Sequence, residues 1–192
     1  MNMKNAHHTA ASTASIAAAC LLALACVAGP AAASDGGCRL QLSDTTLDYG
    51  RMGRSELIDR TGASGEAALG NRTLVLGVSC REASAMRLGF QGVAADENGF
   101  KFADHGRFTL RLKDARIDGQ PVLLRSDPAL PASASVLLRP GDQVESLVAG
   151  HPVKGRQLSV QVEVETEVTV EATRVREETT WQGSGSFVVH ED

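Results

Sequence analysis

The chain has little aromatic material: 4% of 192 residues, with one Trp, one Tyr and five Phe. That is poor stock for stacking bases or walling a large cofactor. It also lacks a basic excess. Its formal charge of −4 argues against nucleic acid or an acidic membrane surface as the main partner. Histidine is sparse beyond the first residues, where only His105, His151 and His190 remain, far apart in sequence. No His/Cys set has zinc or copper spacing, so neither a metal nor a cofactor is expected. There is no Gly-x-Ser-x-Gly elbow and no Cys-x-x-Cys pair. Without a recognisable set of nucleophile, base and metal, no enzymatic activity is expected.

The first 33 residues read as a targeting segment. They carry one cation among Lys and Arg, Lys4, and no acid. An apolar run over residues 16–28 is about 13 long, short of the roughly 20 that span a bilayer. Gly29-Pro30 breaks it, and Ala31-Ala32-Ala33 supplies small residues for a signal peptidase. The expectation is a cleaved signal peptide over residues 1–33 and a single domain over residues 34–192. Cys20 and Cys26 leave with the signal, since neither follows the Leu of a lipobox. Cys38 and Cys80 remain. Two cysteines in an exported chain most simply form one disulfide. Closing a loop of about 43 residues is worth roughly 4 kcal/mol in the chain-entropy account.

The dominant period of the mature chain is two. Leu158, Val160, Val162, Val164, Val168 and Val170 alternate with Ser159, Gln161, Glu163, Glu165, Glu167 and Thr169. This predicts a long strand, or two joined strands, with one buried and one acidic face, and a bulge near the polar inward member Thr166. Further strands are predicted over residues 39–42, 46–49, 72–80, 86–90, 108–113, 121–125, 136–138 and 181–189. Turn signals such as Asn98-Gly99, Asp118-Gly119 and Pro140-Gly141-Asp142 separate them. Residues 55–60 are the best place for a helix, and residues 61–70 read as a surface loop. Short, evenly punctuated strands predict an all-β sandwich.

These residues carry a family resemblance. Cys38-Arg-Leu-Gln-Leu-Ser-Asp-Thr-Thr-Leu-Asp-Tyr49-Gly50 resembles the opening of a chaperone–usher fimbrial (pilin) subunit, with a second cysteine ending the next strand at Cys80. The segment from Leu110 to Gly119 and the tail Gly185-Ser-Phe-Val-Val189 also fit. The resemblance implies an immunoglobulin-like β-sandwich that is incomplete and is completed by a donor strand. It implies a fimbrial subunit assembled by strand exchange and exported through the periplasm to the cell surface. The implied partners are a periplasmic pilus chaperone, an outer-membrane usher and a neighbouring pilin subunit, with a host receptor as a further candidate. Val160, Val162, Val164, Phe187 and Val189 are the candidate lining of the donor-strand groove; plain sandwich core is the alternative for the same residues.

Two departures from the family pattern stand out. After cleavage at Ala33, only Ser34-Asp35-Gly36-Gly37 precedes Cys38, with no apolar side chain to donate. A subunit that accepts a strand but donates none would sit at the tip or cap of a fibre. The chain also ends Val189-His190-Glu191-Asp192, without the family's penultimate aromatic. Any adhesive surface is expected on the domain's own loops, with residues 61–70 and 93–106 as candidates. The competing reading is a complete, monomeric exported sandwich that binds a surface ligand. Glu163, Glu165 and Glu167 are expected to form a solvated face, or alternatively a surface for a basic partner. Trp181 is expected in the core against the disulfide.

Overall fold

A computed structural model describes residues 37–173 and 179–191, all within the unit Gly36–Asp192. The expected signal segment lies outside the described residues. The elements are β1 (Cys38–Leu42), α1 (Arg54–Asp59), β2 (Glu66–Gly92), β3 (Phe100–Phe102), β4 (Gly106–Ile117), β5 (Gln120–Pro121) and β6 (Leu123–Arg125). They continue as β7 (Ser135–Leu138), β8 (Gln143–Val148), β9 (His151–Pro152), β10 (Lys154–Thr169) and β11 (Gly185–Glu191). The architecture is all-β, as expected. All pairing is antiparallel, in the order β3-β4-β10-β2-β8-β6, with β1 and β11 added to β2.

The sheet curls because β2 belongs to two leaves. Its first part pairs with β1 and β10; its second part, from Met86, pairs with β8 and β11. The two segments predicted as separate strands are therefore one bent strand. The bend lies between Ser79 and Ser84, where β2 advances five residues while β10 advances two, between Gly155 and Gln157. Asp118 holds the β10 side of it, accepting the amide N–H groups of Arg156 at 3.1 Å and Gln157 at 2.8 Å. Side chains from both leaves then face one core: Leu74, Leu76 and Val78 with Met86, Leu88, Leu112, Leu124, Val144 and Val160. Burying one such side chain is worth about 1.5–3 kcal/mol.

The register shift predicted near Thr166 is present, but the extra residue sits on the partner strand. Thr166 pairs with Gly70 and Glu167 with Ala68, so Leu69 is the inserted residue. Gly70 takes φ +116, a conformation closed to other residues without strain. From Leu158 to Val168 the inward positions of β10 therefore keep one parity, and Thr166 stays inside at 1% exposure. Its hydroxyl is satisfied by the Tyr49 hydroxyl at 2.8 Å. This contact ties the Tyr49-Gly50 turn to the wall of the sandwich.

Other expectations need correction. Residues 46–49 form no ladder, although Leu47 still packs against the core. Ser43 ends the β1–β2 ladder, giving its amide to the Val75 carbonyl and accepting the Val75 N–H on its hydroxyl. The supposed loop over residues 61–70 is half strand. β2 begins at Glu66, and Ala67 and Leu69 are buried under α1 through Leu57. The last strand starts at Gly185 rather than near Trp181. Trp181 packs on a second, smaller cluster of Leu57, Ala67, Leu69, Val168 and Ala172, away from the disulfide in the main core. The short helix and the single 3-10 turn over residues 170–173 bring Leu57 and Ala172 into that second cluster, which alternation alone does not reveal.

Candidate functional site

The site begins with backbone groups. β1 has a ladder with β2 only, from Cys38 opposite Cys80 to Leu42 opposite Leu76. β11 likewise pairs with β2 only, from Gly185 opposite Gly92 to Glu191 opposite Met86. Each strand therefore has one edge with no ladder partner among the described residues. A row of unpaired N–H and C=O groups is a template for another strand. The two open edges are neighbours: Cα atoms of β1 and β11 come within 8 Å, yet no ladder joins them among the described residues.

The side chains on these strands differ from those of the core. Cys38, Leu40 and Leu42 on β1, Leu47 beyond it, and Phe187 and Val189 on β11 are half-buried and packed against the core. Their spacing is two residues on both strands. Phe187 rests on Phe90, with ring centroids 4.9 Å apart at 67°, and Phe90 contacts Phe100 at 4.7 Å and Phe108 at 5.9 Å. Gly92 and Gly185 sit opposite each other beneath the Phe90 ring, which occupies the space a Cβ of either would need. Four of the chain's seven aromatic residues, Phe90, Phe100, Phe108 and Phe187, are therefore gathered beside one end of the β11 edge.

The five candidate groove residues fall in two places. Val160, Val162 and Val164 are 0%, 0% and 5% exposed on β10, which is paired on both edges by β2 and β4. Phe187 and Val189 stand on the open edge of β11. All five belong to one core cluster. The sequence reading left out Leu40, Leu42 and Leu47. The signal was there, as an alternation in Cys38-Arg-Leu-Gln-Leu42. The disulfide joins Cys38 to Cys80 across the β1–β2 ladder, fastening the edge strand to the wall.

The acidic row of β10 is largely neutralised from β4. Lys113 reaches Glu163 at 3.3 Å, and Arg107 reaches Glu167 at 3.0 Å. The β4–β10 register brings them together, with Arg107 opposite Glu167. Arg107 also contacts Asp96 at 3.1 Å and Glu66 at 3.6 Å. The amide of Asn98 holds the Asp96 carboxyl below its ordinary range; burial opposes this and Arg107 assists it. A basic partner would find most of this face already paired.

His151 lies on β9, His190 on β11 and His105 in the turn between β3 and β4, and no group of three His, Cys, Asp or Glu side chains suited to a metal occurs among the described residues. A surface depression of about 720 Å³ is lined by Val75, Leu123, Val148, Asp114, Arg116 and Gln161. It involves neither candidate binding loop.

No protein-family model matches the chain, and no curated protein is significantly similar to it in sequence. Among solved structures, the chain is similar to the crystal structure of the P pilus rod subunit PapA, at 11% identity and a TM-score of 0.43, over 82% of this chain and all of that one. It is also similar to a subunit in the structure of a chaperone–usher pilus, at 9% identity and a TM-score of 0.44, over all of this chain and 99% of that one. Both scores lie below 0.5; the two open edges and the half-buried side chains along them stand on this chain's own geometry.

Proposed function

We propose that this chain is a non-enzymatic fimbrial subunit that is completed by a strand from another protein, laid between β1 and β11. One observation carries the reading: two neighbouring edges without ladder partners among the described residues, each with half-buried apolar side chains packed on the core at a spacing of two. Such an arrangement is complementary to an extended segment with apolar side chains at alternate positions. Backbone hydrogen bonds supply affinity, and the alternate side chains supply specificity. The first donor is a periplasmic chaperone and the next a neighbouring subunit, with an outer-membrane usher between the two stages. Phe187 and Val189, with Leu40, Leu42 and Leu47, form the rim of the groove. Val160, Val162 and Val164 form the buried layer of the same core.

The finer position in the fibre is a tip or cap. It rests on cleavage after Ala33, which leaves Ser34-Asp35-Gly36-Gly37 ahead of Cys38. Mapping the mature N-terminus tests it, and an apolar extension found there would refute it. A host receptor would then be met on the subunit's own surface.

The main test is completion. The purified chain is unfolded in urea with and without an alternating Val/Thr peptide. The expected result is a higher midpoint with peptide at unchanged slope, and protection of β11 amides from exchange. A two-state monomer with no gain from any such peptide would support the competing reading, a complete sandwich. The half-exposed Val75, Leu123 and Val148 around the surface depression would then be its ligand site.

A further inference from the structure

The two open edges are not open along their whole length. At one end, the backbone N–H of Cys38, the first residue of β1, donates to Glu191 Oε1 at 2.9 Å. Glu191 closes β11, and its other carboxylate oxygen lies against Gly37, 3.3 Å from where a Cβ would stand. Among the described residues no other hydrogen bond or ion pair joins β1 to β11. The ends are brought together by the bend of β2, since Cys38 pairs with Cys80 before it and Glu191 with Met86 after it.

The spacing bears on what can enter. A strand paired on both sides needs its flanking strands about 9.6 Å apart, twice the usual interstrand distance. β1 and β11 approach within 8 Å. A strand cannot pass between them there unless the Glu191 contact opens. At the other end stand Leu42 and Gly185, with no bond across among the described residues and with the Phe90–Phe187 pair alongside.

We propose that Glu191 is a latch: it closes one end of the gap and sets where an added strand's ladder along β11 must stop. The occupant is an extended segment of another chain with apolar side chains at alternate positions, matched to the spacing of Cys38, Leu40 and Leu42 on one side and Phe187 and Val189 on the other. The proposal rests on the strand-acceptance reading above. It adds that the acceptable strand has a defined end, and that a side chain outside the apolar rim defines it. Glu191 is a positioning residue here, acting through the amide of Cys38.

The test uses the purified chain and a series of alternating Val/Thr peptides lengthened two residues at a time. Binding is read by fluorescence anisotropy. In the unaltered chain, affinity rises with length until the peptide covers β11 as far as the latch, then levels off. In Glu191→Ala, the next lengthening gains about a further tenfold, the worth of one more pair of ladder hydrogen bonds. Glu191→Gln keeps an acceptor oxygen and levels off where the unaltered chain does. Thermal melts of the variants, and binding of the shortest peptide, report that the fold is intact. Amide exchange gives a second readout: the Cys38 N–H is protected in the unaltered chain and exchanges about tenfold faster in Glu191→Ala. The same plateau in Glu191→Ala, or an unprotected Cys38 amide in the unaltered chain, overturns the latch while leaving strand acceptance standing. Failure of every peptide to bind either protein overturns both.

Discussion

The wall around β10 and the pair β1/β11 use the same kind of sequence and end in opposite conditions. In the wall, Val160 and Val162 are wholly buried and their strand is paired on both edges. On β1 and β11, Leu40, Leu42, Phe187 and Val189 recur at the same two-residue spacing, with the apolar Val188 between the last two, but stay half-buried, on strands paired once among the described residues. Local pattern is the same in both; what differs is the number of neighbours. The wall is finished by its own chain; on the proposed function, the edges are finished by another.

The largest expected effect tests that contrast directly. Leu112, in the wall, is fully buried. Leu112→Ala should cost about 3 kcal/mol in urea unfolding, from lost transfer energy plus the cavity left behind. Leu40→Ala, on the open edge, should cost about 1 kcal/mol or less, since water already covers part of it. With an alternating Val/Thr peptide bound, the Leu40→Ala cost should rise toward that of a core position. Equal costs at the two sites in the free chain would mean that β1 is already covered.

A smaller effect concerns the tie between the irregular segment after β1 and the wall. Tyr49 gives Thr166 its only hydrogen-bond partner among the side-chain contacts of the described residues, at a position 1% exposed. Tyr49→Phe should cost about 1–2 kcal/mol, because the Thr166 hydroxyl is left buried and unpaired. Thr166→Val in the same chain should recover part of that loss, since neither partner then needs satisfying. Arg72 stacks on the Tyr49 ring at 5.1 Å and would keep the Phe ring in place. Additive losses in the double variant would show that the two hydroxyls act independently.

How far the sequence reveals this molecule depends on the same distinction. Alternation identified β10, β4 and the inward face of β2, because period-two burial is a property of one strand. It also located the register shift, through the single polar member Thr166. It did not say on which strand the extra residue lies; Gly70 decides that, since its φ of +116 suits the distortion. Residues 46–49 have strand composition but no strand beside them, so they stay unpaired. Trp181 was misplaced because its neighbours, Leu57 and Ala172, come from a short helix and a turn with no periodic signal. The proposed groove was only half apparent for a related reason. Val160, Val162 and Val164 have the strongest alternation and so attracted the assignment. Which edge is left open is a matter of topology, and alternation carries no information about it. Glu191 had no sequence signal at all, because its role depends on the bend that brings Cys38 to it.

The smallest effect lies on the outer face of the wall, where Arg107 gathers Asp96, Glu66 and Glu167. The Asp96 carboxyl is held below its ordinary value by the Asn98 amide first and, against the opposing effect of burial, by Arg107. A depressed carboxyl stabilises the fold at pH above its unfolded value of about 3.9, and that contribution is lost as pH falls through the folded value. Stability should therefore be flat with respect to this group from neutral pH down to about 5, and should begin to fall near pH 4. Asp96→Asn keeps the size of the side chain and removes the titration, so its acid limb should be shallower than that of the unaltered chain. The difference should be small, because the Asp96 side chain is 40% exposed and solvent screens it. Urea midpoints measured across the acid range would show it, and parallel curves for the two proteins would mean that the Asn98 and Arg107 contacts do not hold the carboxylate in solution. The wall would then owe nothing measurable to its charged face, and its advantage over the edges would rest on burial and double pairing alone.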